Sequence, residues 1–414
     1  MLSNTFLTLT YFALLAAVHG LRVPETVVID GGRMHAARAQ IMAGKACAPL
    51  TTALDALTKD ADSWLTQGPW SVVDKGVAAP GGTIHDYLSK APYFWPTKNK
   101  TADNPDGCPY VEKDGIRNPE VDIGTDRQAL GSMCYAVPSL AFAWYYTNKS
   151  SYAQHAADIV RTWFLDPATA MNPNVDHGQV ITCSNTGRSI GIIDFSQMYT
   201  TVLDAVAVLN SGPAPGWTSA DMDSFVAWNK KFYTYLANST FGKQERAQDN
   251  NHGTFADMQL AALGLFVGDT AGATAVINSV KSVRVDTQIA ADGSQPQEIA
   301  RTRSFHYSTF DLVAYTRLAQ LASKVDVDLW GYKGSKGQSI MKAVEFIVPA
   351  ASGAANWTYP ELEFTRFSAS DIVHAAADAG NVAAAAAVKK LQTPPKGDFW
   401  AVRPAAEQLD SIAG

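Results

Sequence analysis

The chain has 414 residues, 47% of them apolar and only 17% charged, which is enough apolar material for one large buried core. Its formal net charge of −6 argues against nucleic acid as a partner. An anionic ligand would need a local cationic patch, because the global field repels it.

Residues 2–18 carry an apolar run, Phe6-Leu7 and then Tyr11 to Val18, followed by Val18-His19-Gly20 where a signal peptidase could cut. The pattern predicts a signal peptide over 1–20 and a single mature domain over 21–414. Nothing after position 20 reaches the roughly 18 apolar residues of a membrane span, so the expectation is a secreted protein with no membrane partner. Asn-x-Ser/Thr triplets at Asn99, Asn148, Asn238 and Asn356 agree with secretion. Four cysteines, Cys47, Cys108, Cys134 and Cys183, could form two disulfides in three pairings. Nearness in the chain favours Cys108–Cys134, and the spacing suits no zinc site.

The segment 81–122 holds Tyr87, Tyr93, Phe94, Trp95 and Tyr110 among breakers at Pro92, Pro96, Pro105, Gly107, Pro109, Gly115 and Pro119. It predicts a long functional loop, since its aromatic content disfavours disorder. Helical spacing then takes over. Leu130, Met133, Cys134, Val137, Ala141 and Trp144 form one stripe, with a kink expected at Pro138. Further stripes start at Tyr152, Ile192, Phe225, Phe255 and Phe310, and an alanine-rich stretch over 371–391 supplies another. Gly212-Pro213-Ala214-Pro215-Gly216 and Gly268-Asp269 separate them. Successive helices on short loops form antiparallel hairpins. The fold class predicted is all-α, an (α/α) toroid with an open substrate cleft. An irregular helical bundle is the alternative, because no repeat of fixed period is visible.

Two polar clusters stand at the mouths of apolar helices. Asp249-Asn250-Asn251-His252-Gly253 precedes the Phe255 stripe, with Asp249 or Asn250 as its N-cap. Asn251 can donate an amide hydrogen to a carboxylate, and histidine at 252 can accept or donate a proton near neutral pH. The second cluster runs from Gln297 to Tyr307. Arg301 could clamp a carboxylate through two parallel hydrogen bonds. The Tyr307 phenol could act as a base if Arg301 and Arg303 lower its pKa. In a 1,4-linked polyuronide the C5 proton lies alpha to the C6 carboxylate, so removing it requires that this carboxylate be neutralised. Asn251, His252 and Arg301 would supply that stabilisation, and Tyr307 would take the C5 proton or deliver one to the O4 leaving group. No metal or other cofactor is required.

The chain also resembles the alginate lyase superfamily that includes polysaccharide lyase families 5 and 38. The resemblance rests on Ala91-Pro92-Tyr93-Phe94-Trp95-Pro96, Pro109 to Gly115, Asn118-Pro119-Glu120, Met171-Asn172-Pro173-Asn174, Gly187-Arg188, Asn250 to Gly253 and Asp292 to Pro296 with Glu298, Arg301 and Tyr307. It implies β-elimination on alginate or glucuronan, an α/α toroid, and Asn251, His252, Arg301 and Tyr307 as catalytic residues. Tyr93 and Trp95 then match substrate-lining aromatics, with Gln179, Arg188, Asn250 and Arg303 as further cleft contacts. The Arg301–Tyr307 interval is one residue shorter than in family 5, which favours the family 38 branch and leaves Arg301 and Arg303 as alternative carboxylate contacts. His177 and His306 are spare polar groups. Two other functions compete: an α/α-barrel glycoside hydrolase using Glu298 with Asp292 or Asp257, and a non-catalytic polyuronate-binding protein. Nothing in the sequence points to an obligate oligomer, so a monomer is expected.

Overall fold

The computed structural model describes residues 20–184 and 186–410, so all of the predicted signal peptide except Gly20 lies outside the described residues. The elements in chain order are α1 (Gly31–Met42), α2 (Ala48–Trp64), β1 (Leu88–Lys90), β2 (Phe94–Pro96), β3 (Tyr110–Glu112), α3 (Arg127–Thr147), α4 (Ser150–Val160) and β4 (His177–Val180). They continue with α5 (Tyr199–Leu209), α6 (Ser219–Asn238), α7 (Thr240–Arg246), α8 (Asn251–Val267), α9 (Thr270–Val280), α10 (Ser304–Ser323), α11 (Ile340–Ala351), α12 (Ser370–Asp378) and α13 (Val382–Ala387).

The helices sort into two layers by composition. α5 is buried along its whole length, and α3, α8 and α10 are buried on nearly every face. A helix buried on all sides is enclosed by others, even where it carries polar groups such as Asp311 and Arg317 of α10. α2, by contrast, buries only the stripe Leu50, Ala53, Leu57 and Ala61. Such one-sided helices form the outer layer. α3 packs on α2, α4 and α5; α8 packs on α6, α9 and α10; α10 packs on α11. The result is the predicted α/α toroid. Tight reversals join the pairs: Asn148, at φ 58, turns α3 into α4, and Gly268, at φ 86, turns α8 into α9. Left-handed backbone of this kind ends helices readily at Gly or Asn.

α3 runs through Pro138 as one continuous helix. Two local expectations change. The stripe starting at Ile192 divides into Ser189–Ser196 and α5 with a 40° bend between them. The alanine-rich stretch breaks at Gly380 (φ 91), giving α12 and α13.

The segment 81–122 is irregular, as expected, but holds two small sheets. β1 pairs in parallel with β4, and β2 pairs antiparallel with β3. The disulfide differs from the predicted one: Cys108 joins Cys183, 75 residues away. Cys134 lies in the core on α3, where burial pushes its thiol pKa up, and it is free, as is the exposed Cys47. Nearness in sequence misled because Cys134 belongs to an inner helix while Cys108 stands on the loop beside β3.

Candidate active site

A cleft of about 740 Å³ opens where α8 and α10 begin. Both polar clusters line it: Asn250, Asn251 and His252 from the start of α8, and Arg301, Arg303, His306 and Tyr307 from the start of α10. Asn250 is the N-cap of α8, its side chain accepting from the His252 N–H at 3.1 Å. The start of α10 is held from outside by Glu361, whose carboxylate accepts from the N–H groups of Phe305 and His306. A carboxylate there satisfies orphan donors and complements the helix dipole.

Tyr307 meets Tyr93 hydroxyl to hydroxyl at 2.7 Å. The Arg301 guanidinium lies over the Tyr307 ring, 3.7 Å from its centroid. Despite that cation, burial pushes the Tyr307 pKa well above the usual phenol value, and the neighbouring Tyr93 reinforces the shift. The expectation that Arg301 and Arg303 would depress it fails, because burial outweighs the lowering effect of Arg301, which is itself paired with Asp114. The Arg301 Nε lies 3.1 and 3.2 Å from the two Asp114 oxygens, and its Nη2 bonds the same carboxylate. The Nε/Nη2 edge of Arg301 is therefore filled by Asp114, which leaves its Nη1/Nη2 end as the edge that could meet a substrate carboxylate. Burial raises the Asp114 pKa, but its bonds from Arg301 and Thr302 outweigh burial and hold the carboxyl below its usual range.

Asn251 is almost fully buried, and both its backbone N–H and its side-chain amide donate to Glu298 at 2.8 Å. Burial pushes the Glu298 pKa up, and these two donors offset part of that. One hydrogen of the Asn251 amide remains beyond the Glu298 contact, since an amide nitrogen carries two donors. Glu245, wholly buried, bonds His252 Nδ1 at 2.6 Å. A buried acceptor at Nδ1 fixes the ring and leaves Nε2 as the nitrogen available to a ligand.

The remaining predicted contacts divide. Arg303 is buried, its Nε has no hydrogen-bond partner, and the nearest carboxylates, of Glu361 and Glu363, stand at 3.9 and 3.8 Å. Arg188 is half-buried over the Phe94 ring at 5.1 Å, and no carboxylate pairs with its guanidinium among the described residues. Burial lowers its pKa. Gln179 lines the cleft in left-handed backbone, φ 48, with its amide on Asp194 at 3.2 Å. A non-glycine residue held there is strained, and strain of this kind concentrates at functional sites. Trp95 is not a lining residue. Strand alternation turns it away from the face of Phe94, and its indole N–H bonds the Ile116 carbonyl under Lys113. His306 lines the cleft, but its Nδ1 is taken by Asp410 at 3.0 Å; His177 does not line it.

Glu298 and Asp257, proposed above for a hydrolase, are buried and occupied, Asp257 by Arg246 and Arg284. Asp292 bonds Ser294, and none of the three lines the cleft. Sequence reasoning missed Glu245, Asp114 and the C-terminal Asp410, whose partners are distant or irregularly spaced in the chain. Among the described residues, no group of three or more His, Cys, Asp or Glu side chains is placed to hold a metal ion.

Comparison with known proteins agrees with the fold. The sequence profile of the family described as alginate lyase matches residues 71–357. An alginate lyase from Bacteroides ovatus is similar to this chain at 30% identity and a TM-score of 0.84, covering 93% of this chain and 100% of its own. Alginate lyase A1-III from Sphingomonas species A1 shares the fold at 15% identity and a TM-score of 0.56, covering 94% and 98%. No curated protein matches.

Proposed function

The chain belongs to the alginate lyase family and is a polysaccharide lyase, and on that premise we propose that it cleaves 1,4-linked polyuronates, alginate first and glucuronan as the alternative substrate, by β-elimination. The observation that carries this reading is the convergence of Asn251, His252, Arg301 and Tyr307 on one cleft. Neutralising the C6 carboxylate falls to the free Asn251 amide hydrogen and to Arg303 and Arg188, whose guanidinium groups are the least engaged in the cleft. Donors fixed before the reaction stabilise developing charge without reorganising.

Two groups move protons. His252, its Nδ1 bonded to Glu245, presents Nε2 to the C5 proton. Tyr307, kept as a neutral phenol by burial, donates to O4 as that bond breaks, and Tyr93 hands it a replacement proton through the 2.7 Å contact. Atoms balance: C5 loses a proton to His252, the C4–O4 bond breaks, O4 gains a proton from Tyr307, and a 4,5 double bond remains. The protein acts as a secreted monomer in this reading. Exposed Asn99, Asn148, Asn238 and Asn356 and the Cys108–Cys183 bond support secretion.

The test is incubation with polymannuronate, polyguluronate and glucuronan. A lyase produces unsaturated ends that absorb in the near ultraviolet. A hydrolase produces reducing ends without that absorbance, and a binding protein produces neither.

A further inference from the structure

A second cavity, of about 500 Å³, adjoins the cleft and shares Arg117, Arg127, Tyr135 and Gln408 with it. Its floor is one face of α3. Gln128, Ser132, Tyr135, Ser139 and Phe142 line it at alternating intervals of four and three, the spacing that places side chains on a single helical face. At 1.5 Å per residue that face extends about 21 Å from the cleft end of α3. One side wall is Leu57, Asp60 and Trp64 on α2; the other is the C-terminal strap from Pro394 to Leu409. The cavity is thus a groove that begins at the catalytic cleft and runs inward along α3.

We propose that this groove is a second uronate-binding site, a row of sugar positions that holds the polymer beyond the residues being cleaved. The proposal rests on the lyase reading above for its choice of ligand. Four cations, Arg117, Arg127, Lys396 and Arg403, line the groove; each is paired with one carboxylate, of Asp122, Asp194, Asp60 and Asp371 in turn, and each keeps further N–H donors that a ligand carboxylate could meet. Aromatic rings of Trp64, Tyr135 and Phe399 line it too. The Lys396 ammonium sits 5.3 Å from the Trp64 ring centroid and 5.9 Å from that of Tyr135. Rings beside cations suit a uronate, whose faces present C–H groups and whose edge carries a carboxylate. Two groups lack protein partners: the Arg403 Nε, and the Oε1 of Gln408, a residue only 6% exposed. A buried unpartnered acceptor is costly unless a ligand or water completes it, and Gln408 lies where the groove joins the cleft.

Ser139→Trp would block the groove toward its inner end, about 16 Å along α3, and Lys396→Glu would reverse the charge of its exposed clasp; neither residue lines the catalytic cleft. The experiment compares KM on alginate polymer with kcat/KM on an alginate trisaccharide, which is confined to the cleft. Each variant is expected to raise KM on polymer about tenfold, a loss of about 1.4 kcal/mol, while trisaccharide turnover stays within twofold of the native value. Unchanged KM on polymer in both variants overturns the proposal, and so does an equal loss on both substrates. If the native protein gives no unsaturated product at all, the lyase reading fails instead. The groove is then decided by calorimetric titration of native and Lys396→Glu protein with a mannuronate hexamer, where equal affinity refutes it.

Discussion

Replacing Glu245 with glutamine isolates the proton-handling role assigned to His252. Glu245 is wholly buried, and among the described residues its carboxylate makes one hydrogen bond, the 2.6 Å contact with His252 Nδ1. A hydrogen bond with a charged partner contributes about 1.5–3 kcal/mol net. Glutamine keeps the shape but can turn its amide N–H toward Nδ1, which moves the imidazole hydrogen to Nε2 and removes the lone pair that would accept the C5 proton. At 1.36 kcal/mol per tenfold in rate, the expected loss in kcat is about 10- to 150-fold. KM should remain within about twofold, because Glu245 does not line the cleft. The assay is the initial rate of near-ultraviolet absorbance on polymannuronate, with a thermal melt to confirm that the fold is retained. A Glu245→Gln protein with native kcat would show that His252 does not need its Nδ1 partner, and the assignment of Nε2 as the proton acceptor would fail.

Other outcomes follow from the same geometry. Tyr93→Phe removes the 2.7 Å hydroxyl contact with Tyr307 and should lower kcat roughly tenfold, whereas Trp95→Ala, outside the cleft lining, should leave kcat/KM within about twofold; steady-state kinetics on one polymer separate the two. Asp114→Asn should lower stability by about 1 kcal/mol at neutral pH. Because the folded pKa of Asp114 is depressed, its contribution is present above the unfolded value near 3.9 and is lost as pH falls through the folded value. The melting temperatures of native and Asp114→Asn protein should therefore differ at pH 6 and converge in strong acid; a difference that persists there would contradict the ion pair's role. Replacing both Cys108 and Cys183 with serine opens a loop of 75 residues and should cost about 4 kcal/mol by loop-closure entropy, measured by denaturant unfolding, while Cys47→Ser should change little.

The sequence carried the helical architecture because each helix writes its burial as a period. The apolar spacing of α3, α8 and α10 was readable, and so were the polar clusters at the mouths of α8 and α10, since caps and active-site groups break that period abruptly. Which groups would meet was harder to read. Asp114 reaches Arg301 across 187 positions, and Asp410 reaches His306 across 104; no local pattern encodes either contact. Glu245 lies seven residues before His252 in the short helix α7, and no motif in the sequence marks it. The Tyr307 pKa was misjudged for a related reason: neighbouring arginines are visible in sequence, but the Asp114 that neutralises one of them and the burial that dominates are not. Trp95 and Cys134 were misplaced because adjacency in sequence says little about which face of a strand or which layer of helices a side chain joins.

The most direct measurement of the central claim is the near-ultraviolet signal of Tyr307→Phe on alginate, read beside its affinity for a saturated oligouronate. Loss of the signal by at least a hundredfold with affinity kept would match a phenol that delivers the leaving-group proton. Native turnover in that variant would mean the hydroxyl plays no part, and the proton-transfer scheme would have to be rebuilt around another group.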